Sequence, residues 1–113
     1  MAKIFISGIC GFVGSNVAKR LIKLGHEVSG CDDLSFGYRQ NLPEDFIFDQ
    51  DDISNIEDFQ IEGFDALVSC HTANIIFAQT HTIATHHTNT LDTINLFRQF
   101  GGKIIYTSTS SVY

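Results

Sequence analysis

The sequence predicts an α/β fold, a parallel sheet covered by helices. Three observations predict it. Short apolar runs alternate with segments of helical periodicity, glycines cluster between the first run and the first helix, and 113 residues of which 43% are hydrophobic suffice for one core. Ten Phe against a single Pro, with no repeat or low-complexity stretch, indicate a packed interior rather than a linker or tail.

The elements follow in order. Lys3 to Ser7 is a short apolar run ending at a glycine, which suits a central strand buried on both faces. From Phe12 to Leu24, Val13, Val17, Leu21 and Leu24 recur at helical spacing beside Ala18 and Ile22, and Gly25 stands where a helix stops. Glu27 to Cys31 reads as a second strand, and Leu34 to Pro43 as loop with at most a turn of helix. A third strand is expected at Asp45 to Phe48, a polar stretch from Asp49 to Glu62, and a fourth strand at Asp65 to Cys70. Ala84 to Phe100 reads as a long helix with Leu91, Ile94, Phe97 and Phe100 inward, closed by Gly101 and Gly102. Lys103 to Thr107 is the fifth strand. Strand and helix alternation with right-handed crossovers predicts the order 3-2-1-4-5.

Charge narrows the function. A net charge of −6 with seven Lys and Arg argues against nucleic acid or an anionic membrane surface as partner, because both are held mainly by basic side chains. The opening residues are too few and too soon interrupted by glycine to form a signal-peptide core or a membrane span, so a cytoplasmic chain is expected. Cys10, Cys31 and Cys70 are odd in number, widely spaced and without a C-x-x-C pair, so they are expected as free thiols. His71, His81, His86 and His87 lack the spacing and companion ligands of a metal site, and no metal is expected.

The chemistry lies in the loop after the first strand. Gly8, Gly11 and Gly14 form a G-x-x-G-x-x-G spacing. Gly8 is expected to permit the turn, Gly11 to let a pyrophosphate approach the backbone, and Gly14 to let the helix lie close on the sheet. The N-terminus of the helix then offers unpaired N–H groups and a partial positive charge, which is how an acidic chain can hold phosphates. Asp32 ends the second strand 18 residues after Gly14, near the interval of about 20 at which a carboxylate binds the adenosine ribose. A carboxylate there repels a 2′-phosphate, so NAD is expected over NADP, with Arg39 the one nearby basic residue that could shift the balance.

These segments resemble a known family. Ser7-Gly8-Ile9-Cys10-Gly11-Phe12-Val13-Gly14-Ser15 looks like the glycine motif of the extended short-chain dehydrogenase/reductases, within them the NAD-dependent epimerase/dehydratase group that is UDP-glucose 4-epimerase-like. Asp32-Asp33-Leu34-Ser35-Phe36-Gly37 is similar to that family's loop around the adenosine ribose, and the two segments together are far more specific than either alone. The resemblance spans essentially the whole chain and implies a Rossmann-type sheet with flanking helices, ending after the fifth strand. It implies the pyrophosphate on Gly8, Gly11, Phe12, Val13 and Gly14, and the ribose beside Asp32, Asp33, Leu34, Ser35 and Gly37. Asp52-Ile53 resembles the pair at the adenine, implying that Asp52 accepts from the exocyclic amine and Ile53 packs on the ring. His71-Thr72-Ala73-Asn74 resembles the segment after the fourth strand, where Thr72, Ala73 and Asn74 line the cofactor, and Asn89 takes the place of an asparagine near it. Asp92 replaces a usual glycine and Asn74 a small residue. Aligning Val112-Tyr113 with the family's Val-Tyr places Thr109 at the catalytic Ser/Thr, where a hydroxyl hydrogen-bonds the substrate oxygen.

The family's Tyr-x-x-x-Lys pair, which moves the proton and holds the ribose, does not occur in the 113 residues. The expectation is therefore the NAD-binding portion of a sugar-nucleotide oxidoreductase, inactive as this chain alone. An exposed fifth strand would favour self-association or a complementing chain. A non-catalytic NAD-binding module, and a flavodoxin- or receiver-like domain without dinucleotide, remain alternatives from other classes.

Overall fold

The computed structural model describes residues 1–35, 37–71 and 91–106, with only the backbone of 58 and 59. Strand β1 (Lys3–Ser7) is flanked by β2 (Glu27–Cys31) and β3 (Ala66–Ser69), and β4 (Lys103–Tyr106) lies beyond β3. All three pairings are parallel, with Ser7 opposite both Cys31 and Ser69, so these strands end at one edge. This is the predicted order with one correction. Asp45 to Phe48 forms no strand, and the place beside β2 is taken by a single bridge between Cys31 and Asp49. Pro43, Glu44 and Phe46 give their carbonyls to the Arg39 guanidinium, at 3.0, 2.9 and 2.6 Å, so the backbone that could have paired with β2 bonds to a side chain instead.

Alternation along the strands divides the core. Phe5 and Leu67 face Ile53, Ile56, Ile61, Leu96 and Phe100 on one side of the sheet. Ile4, Ile6 and Val68 face Ile9, Ala18 and Leu42 on the other. Phe5, Ile6 and Leu67 are completely buried, and each such side chain stabilises the fold by roughly 1.5–3 kcal/mol.

Helix α1 (Phe12–Lys23) covers the second side. It ends as predicted: Gly25 adopts φ 91°, its N–H bonds to the Ile22 carbonyl and that of His26 to Leu21, both at 3.0 Å. Its buried face follows the apolar pattern only in part, with Val17, Ala18 and Leu21 packed on the core. Gly14, Ser15 and Ala18 are buried, while Val13 and Leu24 are at least half exposed, because small residues let the helix approach more closely than branched ones would.

Between β2 and β3 lie two 3-10 turns (Arg39–Asn41 and Ile53–Asn55) and a short helix α2 (Asp58–Ile61). Helix α2 lies within the polar stretch from Asp49 to Glu62. Its start is held by a reciprocal box in which Glu57 and Gln60 bond each other's backbone.

Helix α3 (Thr93–Gln99) is the described part of the predicted long helix; 84–90 lie outside the described residues. Its inward face is corrected: Asp92, Thr93, Leu96 and Phe100 are buried and Phe97 half-buried, whereas Leu91 and Ile94 are 45% and 43% exposed. The apolar residues form two overlapping helical stripes, and a polar contact of Thr93 described below selects between them. Among the described residues β4 is the edge of the sheet, with Ile105 and Tyr106 half exposed.

Candidate functional site

The site forms where β1, β2 and β3 end. After Ser7 the chain turns through Gly8 at φ 72°, whose N–H and that of Ile9 both donate to the Cys31 carbonyl, at 2.9 and 3.2 Å. The loop is thereby fastened to the end of β2.

The three glycines have different surroundings. A Cβ on Gly14 would lie 2.2 Å from the Gly8 carbonyl oxygen and 3.0 Å from Ile9 Cα. Gly14 therefore lets the first turn of α1 fold onto the loop's own backbone, where the sequence reading had it approach the sheet. On Gly11, by contrast, a Cβ would meet only the Gly8 oxygen, at 3.4 Å, among the described residues. Among the described residues the space above Gly11 is open.

Among the described residues no side chain caps α1, and no acidic residue stands in its first turn. The first N–H seen to turn back is that of Ser15, to the Gly11 carbonyl at 2.9 Å. The opening N–H groups of a helix have no internal acceptor, so Phe12, Val13 and Gly14 present donors at the positive end of the helix dipole. Phe12 is 82% and Val13 50% exposed, so the crest is accessible.

Asp32 is buried beside this loop. One carboxylate oxygen accepts from the Cys10 N–H at 2.9 Å and the other from the Leu34 N–H at 2.8 Å. Each oxygen keeps a second lone pair, so the carboxylate is fixed in place yet still able to accept from a diol. Leu34 takes the left-handed conformation, φ 65°, that this turn demands. Asp33 is exposed and accepts from the Ser35 N–H at 2.9 Å.

Asn41, which the sequence does not single out, and Arg39, which it marks only as a basic residue near Asp32, complete the frame. The Asn41 side chain donates to the Cys10 carbonyl at 2.8 Å, where the Tyr38 N–H also donates at 3.1 Å. Gly37 makes this possible, since a Cβ there would lie 2.5 Å from the Cys10 carbonyl carbon. Arg39, besides its three carbonyls, stacks over Phe48 at 5.6 Å. Residue type alone does not show either set of contacts, and only the partners reveal these roles.

Asp52 caps the 3-10 turn, accepting from the Ser54 N–H at 3.0 Å. Ile53 follows in the same turn, and its side chain belongs to the core cluster that holds Phe5 and Cys31. Thr72, Ala73, Asn74, Asn89 and Thr109 lie outside the described residues. His71 bonds the Ser7 hydroxyl through Nδ1 at 2.6 Å and the Thr93 hydroxyl through Nε2 at 2.7 Å. Burial pulls its pKa down to about 4, against the opposing pull of Asp52 and Asp92.

All three cysteines are free thiols. Burial, and then the Asp32 carboxylate, push Cys10 up to about 11, and burial likewise raises Cys31 and Cys70. None has the microenvironment of a nucleophile.

The sequence profile of the NAD dependent epimerase/dehydratase family matches residues 4–113. The chain belongs to this family.

Among similar proteins, UDP-glucuronic acid decarboxylase 1 of Danio rerio is 28% identical over 117 residues, covering 98% of this chain and 28% of that protein. UDP-glucuronate 4-epimerase of Thermodesulfobacterium geofontis is 28% identical over 132 residues, covering all of this chain and 41% of its own length. The Bordetella bronchiseptica enzyme WbmF in complex with NAD+ superimposes with a TM-score of 0.82 at 25% identity, over 96% of this chain and 36% of WbmF. This epimerase/dehydratase-family chain thus spans between about a quarter and two fifths of these relatives. Among its described residues, no helix is long and apolar enough to cross a membrane.

Proposed function

We propose that this chain holds NAD as the cofactor-binding portion of a nucleotide-sugar oxidoreductase. The observation that carries the reading is the fixed Asp32 carboxylate, joined to Cys10 at the open, uncapped start of α1. One feature accepts from ribose hydroxyls and the other donates to phosphates, and they are tied to each other by a hydrogen bond.

In this reading the N–H groups of Phe12, Val13 and Gly14 receive the pyrophosphate, while Gly8 makes the turn and Gly11, its own N–H bonded to the Gly8 carbonyl at 3.2 Å, leaves room for the phosphates to approach. Asp32 accepts from the adenosine ribose, with Asp33, Leu34, Ser35 and Gly37 shaping that loop, and Asp52 and the backbone of Ile53 meet the adenine. Arg39 is spent on three backbone carbonyls and the Phe48 ring, so no guanidinium balances a 2′-phosphate beside Asp32, which favours NAD over NADP. Thr72, Ala73, Asn74 and Asn89 are assigned to the cofactor, and Thr109 to the substrate oxygen, by resemblance alone. Bound NAD would accept and return a hydride; the residues described here bind and orient it. The substrate class rests on relatives named for UDP-glucuronate chemistry and on the family.

A second reading, an NAD-binding half that works with a complementing chain or a second copy, is favoured by the half-exposed Ile105 and Tyr106 on β4. In either reading the 113-residue chain binds without turnover, because Tyr-x-x-x-Lys is not within it. Calorimetric titration of the folded chain with NAD and with NADP tests the cofactor assignment. Saturable binding of NAD, weaker for NADP and abolished by Asp32→Ala, is the expected result; no binding of NAD, or equal binding by Asp32→Ala, overturns it.

A further inference from the structure

His71 joins three elements at the edge where the glycine loop begins. Its ring bridges the Ser7 hydroxyl at the end of β1 and the Thr93 hydroxyl at the start of α3, at 2.6 and 2.7 Å, with the Ser69 hydroxyl of β3 at 3.5 Å. Its backbone touches the same loop, since a Cβ on Gly8 would lie 2.8 Å from the Cys70 carbonyl and from the His71 nitrogen. The Cys70 N–H also donates to the Ser7 carbonyl at 3.0 Å. Helix α3 thus reaches the turn at Gly8 through one imidazole.

The ring is suited to the task. A neutral imidazole donates from one nitrogen and accepts at the other, and two hydroxyls accommodate either arrangement because each can donate or accept. The charged groups facing it are Asp52, at the cap of the second 3-10 turn, and Asp92, beside the start of α3. An amide or an aliphatic side chain at position 71 would not span both hydroxyls in a straight line.

We propose that His71 is a positioning residue for the dinucleotide, its ring transmitting the placement of α3 to Ser7 and the turn at Gly8. The proposal rests on the assignment of the glycine loop to NAD. Losing one hydrogen bond of about 1 kcal/mol in this link corresponds to a roughly fivefold rise in the NAD dissociation constant.

The test is NAD titration of the full chain and of Thr93→Val, Thr93→Ser, His71→Phe and the His71→Phe/Thr93→Val pair, each shown to be folded by circular dichroism. Thr93→Val is expected to weaken NAD roughly fivefold, Thr93→Ser to restore it, and the pair to be no weaker than His71→Phe alone. A merely structural threonine would lower thermal stability while leaving the dissociation constant of folded molecules unchanged, and that result overturns the proposal. Should the variants not fold, nitrogen NMR of the unaltered chain decides: NAD is expected to shift the His71 ring resonances, and their indifference to bound NAD overturns it. Absence of NAD binding by the unaltered chain removes the cofactor assignment itself, whereas binding with insensitivity to Thr93→Val removes only the role of His71.

Discussion

Replacing Gly14 by alanine sets two principles against each other. Near the start of a helix, alanine in place of glycine ordinarily stabilises by up to about 1 kcal/mol, through the smaller entropy loss on folding. At this position the added methyl would lie 2.2 Å from the Gly8 carbonyl oxygen, 2.9 Å from the Gly8 carbonyl carbon and 3.0 Å from Ile9 Cα, where ordinary contact begins at 3.4 Å. The neighbours are backbone, so relief requires α1 to move away from the loop by about 1 Å. Overpacking of this kind costs about 1–3 kcal/mol in well-packed interiors, and the shift also strains the Gly8 and Ile9 donations to the Cys31 carbonyl. The sum is a net destabilisation of about 1–2 kcal/mol, or a midpoint lower by about 4–10 °C for a domain of this size. Thermal unfolding followed by circular dichroism measures it. Gly101→Ala, where a Cβ would meet nothing within 4 Å among the described residues, is the control and should change little. A Gly14→Ala chain as stable as the unaltered one would refute the close approach of helix and loop.

Two further outcomes are expected. Arg39→Ala removes donors from three carbonyls and a contact with the Phe48 ring; chemical denaturation should show a loss of about 1–3 kcal/mol, with no gain in the preference for NAD over NADP. Stability should fall as the pH is lowered from about 6.5 to about 4, because the unfolded His71 takes up a proton in that window while the folded one, lowered to about 4, does not. Stability carried by the neutral ring is present in full above 6.5 and lost on acidification. Its contribution is at most about 3 kcal/mol, and urea titrations of the unaltered chain and His71→Phe should lose their difference in slope outside that range.

The sequence made the sheet legible because a central parallel strand leaves a plain trace. Lys3 to Ser7 is apolar on both faces, and each of its neighbours is a short run bounded by glycine or aspartate. The glycine spacing and Asp32 were legible for a similar reason, since close approach and a ribose carboxylate tolerate few residue types. The strand expected at Asp45 to Phe48 failed because Arg39 claims the Phe46 carbonyl within it and those of Pro43 and Glu44 just before it, a tertiary choice invisible in local pattern. The face of α3 was misjudged because hydrophobicity favoured Leu91 and Ile94, whereas His71 draws Thr93 inward. Asn41 and Gly37 were opaque as contacts because their partner, the Cys10 carbonyl, lies about thirty residues away in sequence.

The central claim is that one connected surface, from the start of α1 to the Asp32 loop, receives NAD. Backbone amide NMR during titration with NAD tests it most directly. The account predicts saturable shifts concentrated at Gly8 to Ser15 and at Asp32 to Gly37, with little change around Ile61 to Phe64 at the opposite end of the sheet. Shifts centred on that opposite end, or none at all in a folded chain, would contradict it.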